Sequence, residues 1–174
     1  MNVRRLLHHV IIFIMYLIYI YGLFKVVLFK FRAIEPVDLW RRLERGLGDP
    51  GAVAERAQSG NLIPFREINR SLHHVSGHSV LNLAGNVMIF APYGMLLALL
   101  ANNRITAAGA LLRSFGLSLC LEGAQLVLSL GSFDVDDLLL NTSGGIMGFL
   151  VAKFCVKLGH KAGTIRRGRR EAHD

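Results

Sequence analysis

Residues 79–101 read SVLNLAGNVMIFAPYGMLLALLA, and this stretch decides the fold. It holds no Asp, Glu, Lys or Arg. Its length is close to the ~20 residues that cross a ~30 Å hydrocarbon core. Three further apolar runs lie around it. Residues 9–31 are rich in aromatic and β-branched side chains, with Lys25 and Lys30 toward the far end. Residues 105–130 contain Arg113, which belongs near a membrane boundary and leaves 114–130 to span. The last run extends from about 137 to about 157. Arg4 and Arg5 before the first run resemble the start of a signal peptide, but the run is too long for that and no small-residue cleavage site follows. The pattern predicts an all-α, integral membrane four-helix bundle formed by a single domain, 1–174.

Composition agrees. Of the 174 residues 52% are hydrophobic, more than an ordinary soluble domain carries. The formal net charge is +8. Much of the base lies in Lys153, Lys157, Lys161, Arg166, Arg167, Arg169 and Arg170, directly after an apolar helix, which reads as an anchor against anionic lipid. No groove-reading motif accompanies the charge, so nucleic acid is not an expected partner and the lipid bilayer is. Residues 161–174 are expected to be a disordered, lipid-facing part of the basic tail 157–174. Cys120 and Cys155 sit in apolar runs without CxxC spacing and read as buried apolar thiols.

Arg4 and Arg5, Arg104 and Arg113, and the tail place both termini and the 102–104 link in the cytoplasm by the positive-inside rule. Residues 32–78 then form a long extracytoplasmic loop. Within it, 35–48 carries Leu39, Trp40, Leu43 and Leu47 at helical spacing opposite Arg41, Arg42 and Arg45. This predicts a short amphipathic helix in the interface with Trp40 at headgroup depth. Asp49-Pro50-Gly51 is a turn signal that ends it.

Polar residues inside the spans are costly and therefore informative. Asn82 and Asn86 share one helix face at i, i+4. Glu122 and Gln125 follow at i, i+3 on the next span. Asp134, Asp136 and Asp137 introduce the last, with Asn141 one turn beyond Asp137. Antiparallel threading brings all of these to one membrane half, with Glu122 roughly 12 Å below the exit of its helix at 1.5 Å per residue. Glu122 has no cation at helical spacing and is the leading candidate for a catalytic base, with Asp137 beside it. The bland readings are an interhelical amide clamp for Asn82 and Asn86, and helix capping for Asp134 and Asp136. Gly144, Gly145 and Gly148 include a small-xxx-small pair suited to close helix approach. His74 and His78 have the i, i+4 spacing of a metal pair beside His73, without an HExxH pattern.

These residues also carry a likeness. Asn61-Leu62-Ile63-Pro64-Phe65 is followed by Asn82-x-x-Gly85-Asn86-x-x-x-Phe90-x-Pro92-x-Gly94, by Glu122-x-x-Gln125, by Phe133-Asp134-Val135-Asp136-Asp137 and by Asn141-Thr142-x-Gly144. In this order the blocks resemble the VanZ-like family of bacterial membrane proteins over about 61–154. One departure is Gly131, where the family pattern usually has Arg. The resemblance implies a protein of the bacterial cytoplasmic membrane that affects sensitivity to glycopeptides such as teicoplanin at the outer face.

Two functions fit the residues. In the first, Asn82, Asn86, Glu122, Gln125, Asp137 and Asn141 line an outer polar pocket. Asn61, Pro64 and Phe65 form its rim, and the pocket binds a lipid-linked cell-wall precursor or a lipoglycopeptide through hydrogen bonds. In the second, the protein is an intramembrane enzyme on a lipid-linked substrate. Glu122 is then the general base, and Asp134, Asp136 and Asp137 hold a divalent cation. No other cofactor is indicated.

Overall fold

The computed structural model describes residues 3–29, 35–73, 77–101 and 104–171, with the backbone alone for residues 5, 77–79 and 160–171. These form seven helices: α1 (Val3–Phe29), α2 (Pro36–Gly48), α3 (Pro50–Gln58), α4 (Arg66–His73), α5 (Gly77–Leu100), α6 (Ala107–Val127) and α7 (Val135–Glu171). Among the described residues there is no strand, only one isolated parallel bridge between Asn61 and Asp134. Four stretches are long and apolar enough to cross a membrane: Leu6–Phe29, Val80–Leu100, Ala107–Val127 and Val135–Gly159. The chain is an all-α membrane bundle.

The most extensive contact is between α5 and α7. Small residues make it. A Cβ at Gly144 would overlap the Val87 carbonyl of α5, and one at Gly148 the Ala91 carbonyl. A Cβ at Gly94 would in turn overlap the Gly145 carbonyl. The glycine pattern of α7 therefore serves close backbone approach, as its spacing predicts. Phe90, Tyr93, Leu97, Leu121 and Phe149 fill the core beside this seam. Phe90 meets Tyr93 edge-on, with ring centroids 6.0 Å apart.

Helix α1 is peripheral. Only 6% of its span is buried, against 28–39% for the other three. The Tyr19 hydroxyl donates to the Ile89 carbonyl of α5 at 2.6 Å. That carbonyl lies in the turn that Pro92 perturbs, because proline lacks the N–H that would bond the carbonyl of residue 88.

Helix α6 starts at Thr106, whose hydroxyl accepts the Gly109 N–H at 3.1 Å. Arg113 lies on its second turn and folds back to the Gly109 carbonyl at 2.9 Å, the reach toward the boundary that its position predicts. The C-terminal end closes with Ser129 at φ 52°, the Ser129 N–H on Leu126 at 3.1 Å and the Leu130 N–H on Gln125 at 2.8 Å. This is a Schellman closure with serine where glycine is usual.

Residues 35–73, between the first two spans, hold more helix than the sequence suggests. Asp49 ends α2 but at once starts α3, accepting the Ala52 N–H at 3.0 Å with Pro50 in the first turn. The turn signal is thus also a helix start. Helix α2 lays Leu39 and Leu43 beside Gly123, Ala124 and Val127 of α6. Gly46 admits the Val127 carbonyl. Trp40 and Leu47 stay exposed, so the apolar residues divide between protein and surroundings instead of forming one lipid-facing stripe. Arg42 donates to the Ser129 carbonyl at 3.0 Å and Arg56 to the Leu126 carbonyl at 2.9 Å. Both cations meet the negative end of α6.

At the other end α7 continues as helix to Glu171, correcting the expected disorder from residue 161. Lys, Arg, Ala and Glu are good helix formers, and an established helix needs no new nucleus to extend.

Candidate functional site

The site begins where α7 begins. Asp134 caps that helix, its Oδ1 accepting the Asp136 N–H at 2.8 Å. Its own N–H donates to Glu122 Oε2 at 3.1 Å, tying the cap to α6. Glu122 is 2% exposed. Burial of a carboxylate is tolerable only where donors meet it, and this N–H is one.

Asp136, 1% exposed, turns the opposite way. Its Oδ1 accepts the Phe65 N–H at 2.5 Å. Its Oδ2 accepts the N–H groups of Glu67 at 2.7 Å and Ile68 at 3.2 Å, and the Asn61 amide at 3.3 Å. The carboxylate therefore caps α4 from a distant part of the chain, where free N–H groups and the helix dipole favour an anion. Asn61 also donates to Asp134 Oδ1 at 3.0 Å, and its backbone pairs with Phe133 and Val135 at 2.9 Å each. Gly60 permits that pairing, since a Cβ there would overlap the Phe133 carbonyl. Phe65 is left at φ 66°, a left-handed conformation that an aromatic residue adopts only under constraint.

The remaining four polar residues each have a different place. Asn86 donates to Asp137, joining α5 to α7. Asn141 donates to the Ser118 hydroxyl of α6 at 3.0 Å, with both residues buried. Gln125 points away from this cluster and donates to the Val27 carbonyl of α1 at 2.9 Å. Asn82 is exposed on α5 and makes no hydrogen bond to a described residue. Of the residues expected at the pocket and its rim, Asn61, Glu122, Asp134 and Asp136 are joined by hydrogen bonds, and Asn86 and Asp137 form a separate pair. Asn141 lies one layer deeper, Gln125 serves as a strut, and Asn82 lies outside.

Among the described residues no three His, Cys, Asp or Glu side chains are grouped to hold a metal ion. Asp134, Asp136 and Asp137, the residues expected to hold a cation, are spread apart by helical geometry. Successive residues point about 100° apart, so Asp136 faces α4 while Asp137 faces α5. Both Asp136 oxygens are already occupied by donors. His74 and the His78 side chain lie outside the described residues.

The open surface is at the rim. Ile63, Pro64, Phe65, Arg66, Ile68, Asn69 and Leu72 line a groove of about 570 Å³. Ile63 is 60% and Phe65 62% exposed. Because Asn61 pairs with Asp134, this rim is level with the first residue of the α7 span. Apolar side chains beside a cation and an amide make a surface for an amphiphile at a membrane boundary.

Sequence reasoning missed Ser118 and the two arginine struts. Ser114, Ser118 and Glu122 recur at four-residue steps, a polar stripe on an otherwise apolar helix that was open to reading. The partners of Arg42 and Arg56 are 87 and 70 residues away and left no local signal.

The family model described as VanZ/LLP1 matches residues 10–156. No curated protein and no solved structure matches the chain.

Proposed function

This chain belongs to the VanZ/LLP1 family, and we propose that it modulates susceptibility to glycopeptides such as teicoplanin by binding a lipid-linked cell-wall precursor or an amphiphilic drug at the outer face of the bacterial cytoplasmic membrane. Both termini then lie in the cytoplasm. The support for sidedness is the basic residues Arg104, Arg113, Lys153 and Lys157 at the end of the bundle opposite Asp134.

The observation that carries the reading is the rim. Asp136 locks residues 61–68 into one shape, and that shape holds Ile63 and Phe65 outward. A folded loop ordinarily buries such side chains, and a rigid exposed apolar edge above a polar cluster suits a ligand with a tail and a hydrogen-bonding head. The test is expression of the full chain in a glycopeptide-susceptible bacterium. Wild type is expected to raise the inhibitory concentration of teicoplanin, and an Ile63→Ala, Phe65→Ala variant of equal abundance to lose the effect. An unchanged concentration with wild type in the membrane would overturn the reading.

The enzymatic reading keeps one supporting observation, the burial of Glu122 next to the rim-bearing loop. Glu122→Gln keeps shape and an acceptor oxygen but removes the base. Partial retention of the phenotype fits binding. Complete loss, with an unchanged melting temperature and normal abundance, fits catalysis.

A further inference from the structure

The rim offers an apolar edge at the membrane boundary but no slot that would hold a long tail within the bilayer. The contact between α1 and α5 supplies one. Ile18, Tyr19, Gly22 and Val26 of α1 face Ile89 and Leu96 of α5 across an apolar slot of about 450 Å³. Gly22 leaves the space open, since nothing lies within 4 Å of where its Cβ would be. The slot does not arise from poor packing throughout, because the α5–α7 seam in the same bundle is closed to backbone contact.

Depth relates the slot to the polar end. Tyr19 and Ile89 are level, joined by their hydrogen bond. The two helices are antiparallel, and Gln125 fixes the Val27 end of α1 at the cluster end of the bundle. Val26 and Asn82 each lie seven residues outward from that level, about 10 Å at 1.5 Å per residue. The outer mouth of the slot is therefore level with Asn82. Asn82, Asn86, Ile89 and Leu96 also follow one another at four-, three- and seven-residue steps, so they form one stripe along α5. The stripe is amide at its outer end and apolar below.

An exposed asparagine in a lipid-facing position is unfavourable unless it meets a polar partner. The α1–α5 slot explains it. Resting on the binding function proposed above, we propose that the slot receives the tail of a long-chain lipid whose sugar- or peptide-like head hydrogen-bonds Asn82 and Asn86 at its mouth. The amides match hydroxyl and acetamido groups, which offer both donors and acceptors.

Photo-crosslinking of the full chain in nanodiscs tests this. The probes are a glycosylated polyprenyl phosphate with a diazirine at the tail end, the same lipid with the diazirine on the head, and phosphatidylglycerol with a diazirine in its acyl chain. The tail probe is expected to label Ile18 and Ile89 in preference to phosphatidylglycerol. Gly22→Leu, whose Cβ would enter open space, is expected to reduce that labelling by about tenfold, a modest loss in affinity terms, without moving the melting temperature. Equal labelling by the two lipids would mean ordinary bilayer lipid and would overturn the proposal, as would tail labelling unaffected by Gly22→Leu. Head labelling at Ile63 and Phe65 with no tail labelling in the slot would overturn the slot alone. Failure of the head probe to label the rim as well would count against the binding function itself.

Discussion

Helix α5 meets α7 on one side and α1 on the other, and the two contacts are built in opposite ways. Toward α7, Gly94, Gly144 and Gly148 remove side chains so that backbones touch. Toward α1, Tyr19 spans to the Ile89 carbonyl while Gly22, with nothing within 4 Å of where its Cβ would be, lies on an open apolar slot. Glycine thus closes one contact and opens the other. Lipid tails are as apolar as Leu, so helices in a bilayer gain little from hydrophobic contact as such and associate through close fit and hydrogen bonds. The seam with both features is the scaffold, and the contact that keeps a gap beside its tyrosines is free to accept a guest.

The comparison can be broken most directly at the seam. Gly148→Leu drives a side chain into the Ala91 backbone, which rotamer changes cannot relieve. Overpacking ordinarily costs about 1–3 kcal/mol, and a backbone collision exceeds that. The variant is expected to fail to yield a monodisperse protein in detergent. A Gly148→Leu protein that melts like wild type would show that α5 and α7 do not touch as described.

Next in size is Asp136→Asn. The amide replaces one acceptor oxygen with a donor that faces the loop N–H groups, and the charge that met the α4 terminus disappears. Hydrogen bonds to charged groups contribute about 1.5–3 kcal/mol each. The expected result is rapid hydrogen exchange over residues 61–68 with the α5 and α7 spans still protected. Unchanged protection of the rim would remove Asp136 as its anchor.

Ser118→Ala takes away the acceptor of the Asn141 amide within the α6–α7 contact. Interhelical hydrogen bonds in membrane proteins contribute about 0.6–2 kcal/mol, so a small fall in melting temperature is expected. The pair also has a coupling to measure, since Ser118→Ala should cost less in an Asn141→Leu background. Additive effects would mean that the two side chains do not interact. Smallest of all is the stability effect of Gly22→Leu, within about 0.5 kcal/mol, because the site is open to its surroundings. Set beside Gly148→Leu, it sharpens the contrast between the two contacts of α5.

The spans were legible because the bilayer imposes a length and an apolar composition that appear directly in residues 79–101. The meeting of α5, α6 and α7 polar groups at one end followed from antiparallel threading alone, and Asn86 with Asp137 and Glu122 with Asp134 bear that geometry out. Individual partners were not legible. Asn82 and Asn86 share a face in the sequence, yet among the described residues it is Asn86 of the two that bonds a neighbouring helix. Glu122 and Gln125 are one turn apart, yet Gln125 turns toward α1. A difference of three or four residues fixes a face to within tens of degrees, and at a boundary between two neighbouring helices that margin decides the partner.

By itself the sequence determined that this protein is a four-span helical membrane protein, that its costly polar groups share one end, and which ordered motifs mark its family. Those properties depend on local composition and on the alternation of helices through the bilayer. Tertiary structure alone decided that Asp136 holds the rim, that Arg42 and Arg56 close the end of α6, and that α1 leaves a slot beside α5. Each of these joins groups far apart in the chain, and such contacts are set by the angle and rotation at which helices pack. No repeat in a single helix encodes that choice.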